Sequence, residues 1–535
     1  MNTRTLQLFA LSLGTLLACG DDGSSADGDD SSSSGQTGDE TSLTTLSTTQ
    51  TTVDDSGSES GSSSGVADSS SGTDDGGSSS ESESGSGSES GGEVVEPTVI
   101  PLPIDAGTPD QLFTAAFADD DTVFAVGVVD DVIGGDANRS SVVVKLNADG
   151  TLDDAFGVGG IAVFDIADGG TQESVRGVVV QSSGRVVVAG VAEHDPTAPD
   201  LLATDTDIVL FAVDPITGEL DTTFGDEGIR IFDPNDAVEG VNGRGTPVLN
   251  ARDALWSLAV DGDDQLLLHG GTRNDGDERT DTDWLVIRTD ADGALVEGFA
   301  DGGMFTLDID EANGSARNGR FLADGSILCG GYAATLSSGG ITSPVAYKLT
   351  PEGELDESFG VLGVFHEVVL AGISEIYDLA PQGDSFVTAG YGRNDPDAPL
   401  DALSLRLGAD GQIDASYGDS GSAIIDVAGF ADQVRTVLVL PDDGVLLLGN
   451  STETEGDVDG FIAARTVDGA PDETFAPAGV QVFDIGGTND TINGGVISPD
   501  GSLLFMVARK GYANDFPQTE TENQDAAIVL LPLGR

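Results

Sequence analysis

LDDAFGVGGIAVFDIADGGTQESVRGVVVQSSGRVVVAG occupies residues 152–190, and most of the chain is variation on it. Its opening pattern, Leu-Asp-x-x-Phe-Gly-x-x-Gly, returns as LDTTFGDEG (220–228), LVEGFADGG (295–303), LDESFGVLG (355–363), IDASYGDSG (413–421) and PDETFAPAG (471–479). The aromatic falls at Phe156, Phe224, Phe299, Phe359, Tyr417 and Phe475. Its closing pattern is a turn followed by an apolar run: GRVVVAG (184–190), DQLLLHGG (264–271), DGSILCGG (324–331), GDSFVTAG (383–390), DGVLLLG (443–449) and DGSLLFMV (500–507). An earlier copy, DDTVFAVG (120–127), has no aromatic-glycine core before it. A further apolar run follows each copy, from SVVVKLNADG (141–150) to AAIVLLPLG (526–534), which makes seven units.

Each unit reads as four short strands. In the second unit they are 160–166, 175–181, 185–192 and 208–214. Val, Ile and Phe enrichment, lengths of six to eight and Gly or Asp punctuation favour strand over helix. Ser182-Ser183-Gly184, Asp324-Gly325, Asp443-Gly444 and Asp500-Gly501 stand where a tight hairpin needs positive φ, which Gly accepts. A unit of about 60 residues buries too little to stand alone, so a string of separate sandwiches is disfavoured. Four antiparallel strands repeated seven times predict an all-β, seven-bladed β-propeller over residues 94–535. The anchor aromatic wedges between sheets, its Asp accepts backbone N–H groups in an Asx-type turn, and its Gly allows a sharp exit. The segment TVIPLPI (98–104) either starts a unit in phase or completes the last sheet; the sequence leaves both open.

The pattern Leu-Asp-x-x-Phe-Gly-x-x-Gly followed by Val-Val-Val-Gln-x-x-Gly-Arg-Val-Val-Val-Ala-Gly resembles the delta-60 repeat of bacterial exported proteins. The match covers 98–535 and departs where Val296 replaces Asp and where Ala300 and Ala476 replace Gly. The resemblance implies an extracytoplasmic propeller and brings no catalytic constellation with it.

Residues 1–18 read as a signal peptide: Arg4 is the positive n-region, Leu6 to Leu17 an apolar stretch too short to span a membrane. Leu16-Leu17-Ala18-Cys19 resembles the bacterial lipobox, which implies lipidation of Cys19 and cleavage before it. Several acyl chains would anchor the protein stably. Gly20 is not the Asp that holds some lipoproteins at the inner membrane, so the outer membrane or cell surface is the expected address. Residues 19–93 are Ser, Gly, Asp, Thr and Glu with few large apolar side chains, and read as a disordered stalk.

The 535-residue chain has 21 Lys+Arg against 94 Asp+Glu, a net charge of -73. Such a surface repels phosphate backbones, so no nucleic acid is expected. With Cys19 lipidated, Cys329 is alone in an apolar run and reads as a buried small hydrophobe.

Chemistry is sparse. Gly418-Asp419-Ser420-Gly421 looks like a serine-protease nucleophile string, yet its glycines are repeat glycines and no base is in phase with it. His194, His269 and His366 lack metal-ligand spacing. Asp205/Asp207, Asp281/Asp283 and Asp457/Asp459 precede the fourth strand of a unit. They could give calcium several of its six to eight oxygens, as weak structural sites, although turn capping is the plainer reading. No cofactor is required. One polar position recurs at the start of the second strand: Arg176, Trp256, Arg317, Asn493 and, within one residue, Arg435. Cyclic repetition would set these on a ring about the propeller axis. There, Arg would recognise carboxylates and Trp256 would stack on a sugar face. The competing reading is an ion pair with the anchor Asp that fastens blades.

The expected function is therefore a monomeric, lipid-anchored envelope module, without catalysis, that binds a polysaccharide or an envelope protein. The alternatives are a propeller-scaffold enzyme (a glycan hydrolase or lyase, or a quinone-dependent dehydrogenase) and a surface scaffold that binds nothing.

Overall fold

The structure is a computed structural model. It describes residues 4–6, 94–102, 104, 110–133, 136–167, 173–193, 205–234, 239–241, 247–249, 253–273, 282–310, 312, 314–454, 457–486, 490–511 and 525–534. Cys19 and the stalk lie outside the described residues.

The described residues form seven blades of four antiparallel strands, one of which gains a fifth, parallel strand at its edge. Blade 1 runs from Asp110–Phe117 through Val123–Ile133 and Asp136–Leu146 to Ile161–Phe164. Blades 2 to 6 repeat this order, with first strands Ser174–Val180, Ala254–Val260, Gly314–Phe321, Ile373–Gln382 and Asp432–Val439. Blade 7 begins at Thr491–Ile497. The first strand of every blade packs on the first strand of the next, all the way round, so these strands line the axis. The seven-bladed propeller read from the repeat is the fold.

The blade is out of phase with the sequence unit by one strand. The unit's opening strand, as at Ile161–Phe164, is the outermost strand of the preceding blade. The anchor is thus the turn between a blade's third and outermost strands. Its phase settles the closure: Thr98–Leu102 pairs antiparallel with Ala526–Leu530 and supplies the outermost strand of blade 7. A strand that arrives from the N-terminus needs no turn, which is why seven blades carry six anchors. The closing strand places Val99 against one interblade core and Ile100 and Leu102 against the next.

Each anchor does what its residues predict. Phe156, Phe224, Phe299, Phe359 and Tyr417 are fully buried. Oδ1 of Asp153, Asp221, Asp356, Asp414 and Asp472 accepts the N–H two residues on, at 3.0–3.1 Å. The residue after the aromatic adds a bond between blades: Gly157, Gly225, Ala300, Gly360 and Gly418 donate N–H to Thr217, Asp292, Glu352, Asp410 and Asp468 of the following blade. The facing turn must come close. A Cβ on Gly411 would sit 2.5 Å from the Gly360 nitrogen and 2.8 Å from the Phe359 ring. The sixth anchor departs from this pattern. Ala476 is extended at φ -159, because the following Pro477 disfavours a tight turn there, and Phe475 is only half-buried.

Two local additions lie outside the repeat. Glu239–Val241 and Pro247–Leu249 form a hairpin between blades 2 and 3. Arg4–Leu6 lies parallel to Leu307–Ile309 at the edge of blade 3. The hairpin turns also correct one expectation: at Asp443-Gly444 it is Asp443, at φ 61, that takes the left-handed conformation.

Candidate functional site

The axial strands share one irregularity. In each of the seven, the pairing with the second strand slips by one residue, and the residue left over is Phe113, Arg176, Trp256, Arg317, Tyr377, Arg435 or Asn493 in blades 1 to 7. A bulge of this kind turns its extra side chain away from the ladder. The five residues singled out in the sequence are therefore one ring position, and Phe113 and Tyr377 complete it.

The sequence signal for these bulges is the Gly that ends each apolar run. Gly127, Gly190, Gly270, Gly331, Gly390 and Gly449 stand opposite the bulge, where a Cβ would collide with the carbonyl oxygen of Gln111, Ser174, Ala254, Ser315, Glu375 or Gln433. Phe113 escaped because it reads as core. Tyr377 escaped because its hairpin is shorter: Gln382 pairs with Ser385 across a two-residue turn, which moves the turn glycine to Gly383.

Around the ring, aromatic and guanidinium groups alternate and stack across blade boundaries. The Arg176 guanidinium lies 4.0 Å from the Phe113 ring and 5.2 Å from Trp256. Arg317 lies 4.0 Å from Trp256 and 4.3 Å from Tyr377, and Arg435 lies 5.4 Å from Tyr377. Asn493 closes the circle by donating Nδ2–H to the Leu112 carbonyl at 2.7 Å. Such contacts contribute about 0.5–2 kcal/mol each, more as water is excluded. Arg317 is the most buried of the three ring arginines, at 5% exposure, and donates to the hydroxyls of Tyr332 (2.6 Å) and Tyr377 (3.1 Å). Tyr377 and Tyr391 hydroxyls meet at 2.9 Å. Burial raises both phenols above the usual tyrosine range, so they stay protonated as hydrogen-bonding groups. Phe113, Arg176, Trp256, Arg435 and Asn493 remain half-exposed.

Four of the anchor aspartates pair with bases that lie outside the ring: Lys145 with Asp153 at 3.0 Å, Arg185 with Asp221 at 2.7 Å, Lys348 with Asp356 at 3.0 Å and Arg406 with Asp414 at 2.9 Å. The ring arginines stack on the ring aromatics.

The paired aspartates are redistributed. Asp207 gathers with Asp233 and Asp253, and Asp459 with Asp484 and Asp490, each set with carboxylate oxygens within 4.8 Å of one another. A third group, Asp401, Asp426 and Asp432, had no Asp-x-Asp pair to reveal it. Asp205 and Asp283 are buried outside these groups, Asp457 is exposed, and Asp281 lies outside the described residues. His194 also lies outside them. Burial pushes the His269 imidazole down to about 3, where it meets the Tyr347 hydroxyl at 2.9 Å. Cys329 is buried and its thiol is pushed up to about 12, so it is a core group. Ser420 donates to Asp419 at 3.2 Å on an exposed anchor turn.

No curated protein matches this sequence. Several solved structures show a distant similarity. A protein of unknown function from Dyadobacter fermentans is 11% identical, covering 83% of this chain and 99% of its own, with a TM-score of 0.41. The propeller domain of the trilobed protease from Pyrococcus furiosus is 11% identical, covering 79% and 94%, with a TM-score of 0.40. The WD40 repeats of RRP9 are 12% identical, covering 81% and 99%, with a TM-score of 0.40. The profile of a family described as "Domain of unknown function (DUF5122) beta-propeller" matches residues 131–156 and 322–359, parts of blades 1 and 4.

Proposed function

We propose that this protein is a lipid-anchored binding module of the bacterial envelope, without catalysis, whose axial ring takes an acidic polysaccharide. The observation that carries the reading is the alternation Phe113-Arg176-Trp256-Arg317-Tyr377-Arg435 on consecutive blades. Guanidinium groups offer forked donors to carboxylates, and aromatic faces accept the C–H surface of a sugar ring. The concentration of cations supports it further. In a chain of net charge -73, three of 21 basic residues share one ring.

The test is thermal unfolding and titration calorimetry of the full-length protein against acidic and neutral polysaccharides. A ligand that binds only the folded state raises the midpoint with concentration, by about 2.7 kcal/mol at a hundredfold excess over its Kd. The expected result is a shift with uronate-containing chains alone, cut at least tenfold in affinity by Arg176→Ala and by Trp256→Ala. Equal shifts with neutral chains, or variants that bind as well as wild type, would sink it. Lipid attachment is tested separately: Cys19→Ala should abolish labelling by a fatty-acid probe and release the protein from membranes.

A further inference from the structure

Three residues before each ring residue, every axial strand has a second repeated position, at the junction with the preceding blade. It is occupied by Asp110, Glu173, Asp253, Gly314, Ser374, Asp432 and Asp490. At five of the junctions its side chain caps the loop leaving the preceding outermost strand, which makes this the cap position, although Asp253 and Gly314 show no such bond. Asp432 accepts Val427 N–H at 2.8 Å, Asp490 accepts Ile485 and Gly486 N–H at 2.7 Å, and Glu173 accepts Ala167 N–H at 2.6 Å. The seven copies are a built-in comparison. At the Ser374 junction a neutral hydroxyl does this work, accepting Leu370 N–H at 3.4 Å. At the Asp110 junction the second oxygen is used too, for Ala526 N–H at 2.7 Å. Capping therefore explains one oxygen and does not require three carboxylates.

At the junctions after blades 2, 5 and 6 there are three. One comes from the start of the third strand (Asp207, Asp401, Asp459) and one from just beyond the outermost strand (Asp233, Asp426, Asp484). The third is the buried cap of the next blade, Asp253, Asp432 or Asp490, each at 0–1% exposure. At these positions both oxygens of Asp253 and Oδ1 of Asp432 and of Asp490 make no hydrogen bond of good geometry, although the Thr272 and Ser451 hydroxyls act on Asp253 and Asp432. A buried carboxylate oxygen without a well-formed hydrogen bond, set beside two more carboxylates, is a costly arrangement for a protein alone. We infer that these three junctions are divalent-cation sites of the calcium class, in which two aspartates of one blade and the buried cap of the next grip a single ion. Hard oxygen ligands and partial access through the exposed member suit calcium better than a softer metal. Burial pushes the cap carboxyls up, to about 8 for Asp253 and about 6 for Asp432 and Asp490, a bias that a bound cation would reverse.

The test uses metal-stripped full-length protein titrated with calcium chloride, read by calorimetry and by the unfolding midpoint. Wild type should bind three equivalents above the weak background of its acidic stalk, with a rise in midpoint. Asp253→Asn, Asp432→Asn and Asp490→Asn should each remove one equivalent, and Ser374→Ala none. If a cap variant fails to fold, the exposed partners Asp233→Asn, Asp426→Asn and Asp484→Asn give the same count. No midpoint shift up to about 10 mM calcium, roughly tenfold above the weak end for extracellular modules, would overturn the inference. So would a stoichiometry that is the same in every variant.

Discussion

Glu173 shows how much one buried side chain can set. Burial raises its carboxyl to about 8, and the charges of Asp165 and Glu193 add to the shift. A carboxyl with a raised folded pKa is satisfied when protonated. Its share of stability is intact below the unfolded pKa, near 4.3, and is lost as pH rises towards 8. Glu173→Gln keeps an oxygen for the Ala167 N–H and removes the titration. It should therefore stabilise the protein by up to about 3 kcal/mol at pH 7 and by nothing at pH 4, read from denaturant melts at both pH values. A gain that is equal at the two values would refute the assignment. At the anchor, Phe359→Ala should cost about 3–5 kcal/mol, since a fully buried ring between two sheets leaves a cavity.

At the scale of the element, the bulge is the unit of function, and in six of the seven blades a glycine faces it. Gly449→Ala would press a methyl group into the Gln433 carbonyl, so the strand must either lose its bulge or move apart. The expected cost is about 3 kcal/mol or more, with Arg435 displaced from its place beside Tyr377. Urea unfolding measures the first effect. Ligand affinity of the surviving fold measures the second, and an unaltered midpoint would show that the register can absorb the change. Blade 7 is the natural exception, because Ala508 stands opposite its bulge and that blade presents the small amide of Asn493. The anchor turns and hairpins are local structures whose hydrogen bonds span a few residues, so they were legible from spacing. The register slip that turns Tyr377 and Phe113 onto the ring depends on which residue of a neighbouring strand each one misses, and spacing from the turn failed where the turn was shorter.

For the whole molecule, the closing strand decides whether seven blades make a ring. Thr98–Leu102 buries Leu102 to 4% exposure and packs Val99 and Ile100 on two different cores. Leu102 at about 1.5–3 kcal/mol, with smaller shares from the partly buried Val99 and Ile100, puts the cost of the strand's removal at about 3 kcal/mol. A chain lacking residues 94–102 should melt earlier and with reduced cooperativity by calorimetry, and an unchanged transition would mean that the ring closes without the strand.

The sequence by itself determined the repeat, the strand order within a unit, the number of blades and the wedge role of the anchor aromatic. Those follow from periodicity and from turn chemistry, both of which act over short stretches of chain. Only the tertiary structure decided the rest. It moved the blade boundary by one strand and chose the closure. It exchanged the Asp-x-Asp pairs for triads drawn from two blades, such as Asp207 and Asp233 with Asp253. It also joined the scattered cations and aromatics into one ring. The physical reason is common to all four: each is a contact between residues of different sequence units, fixed by how strands pair and sheets pack about the axis rather than by neighbours in the chain.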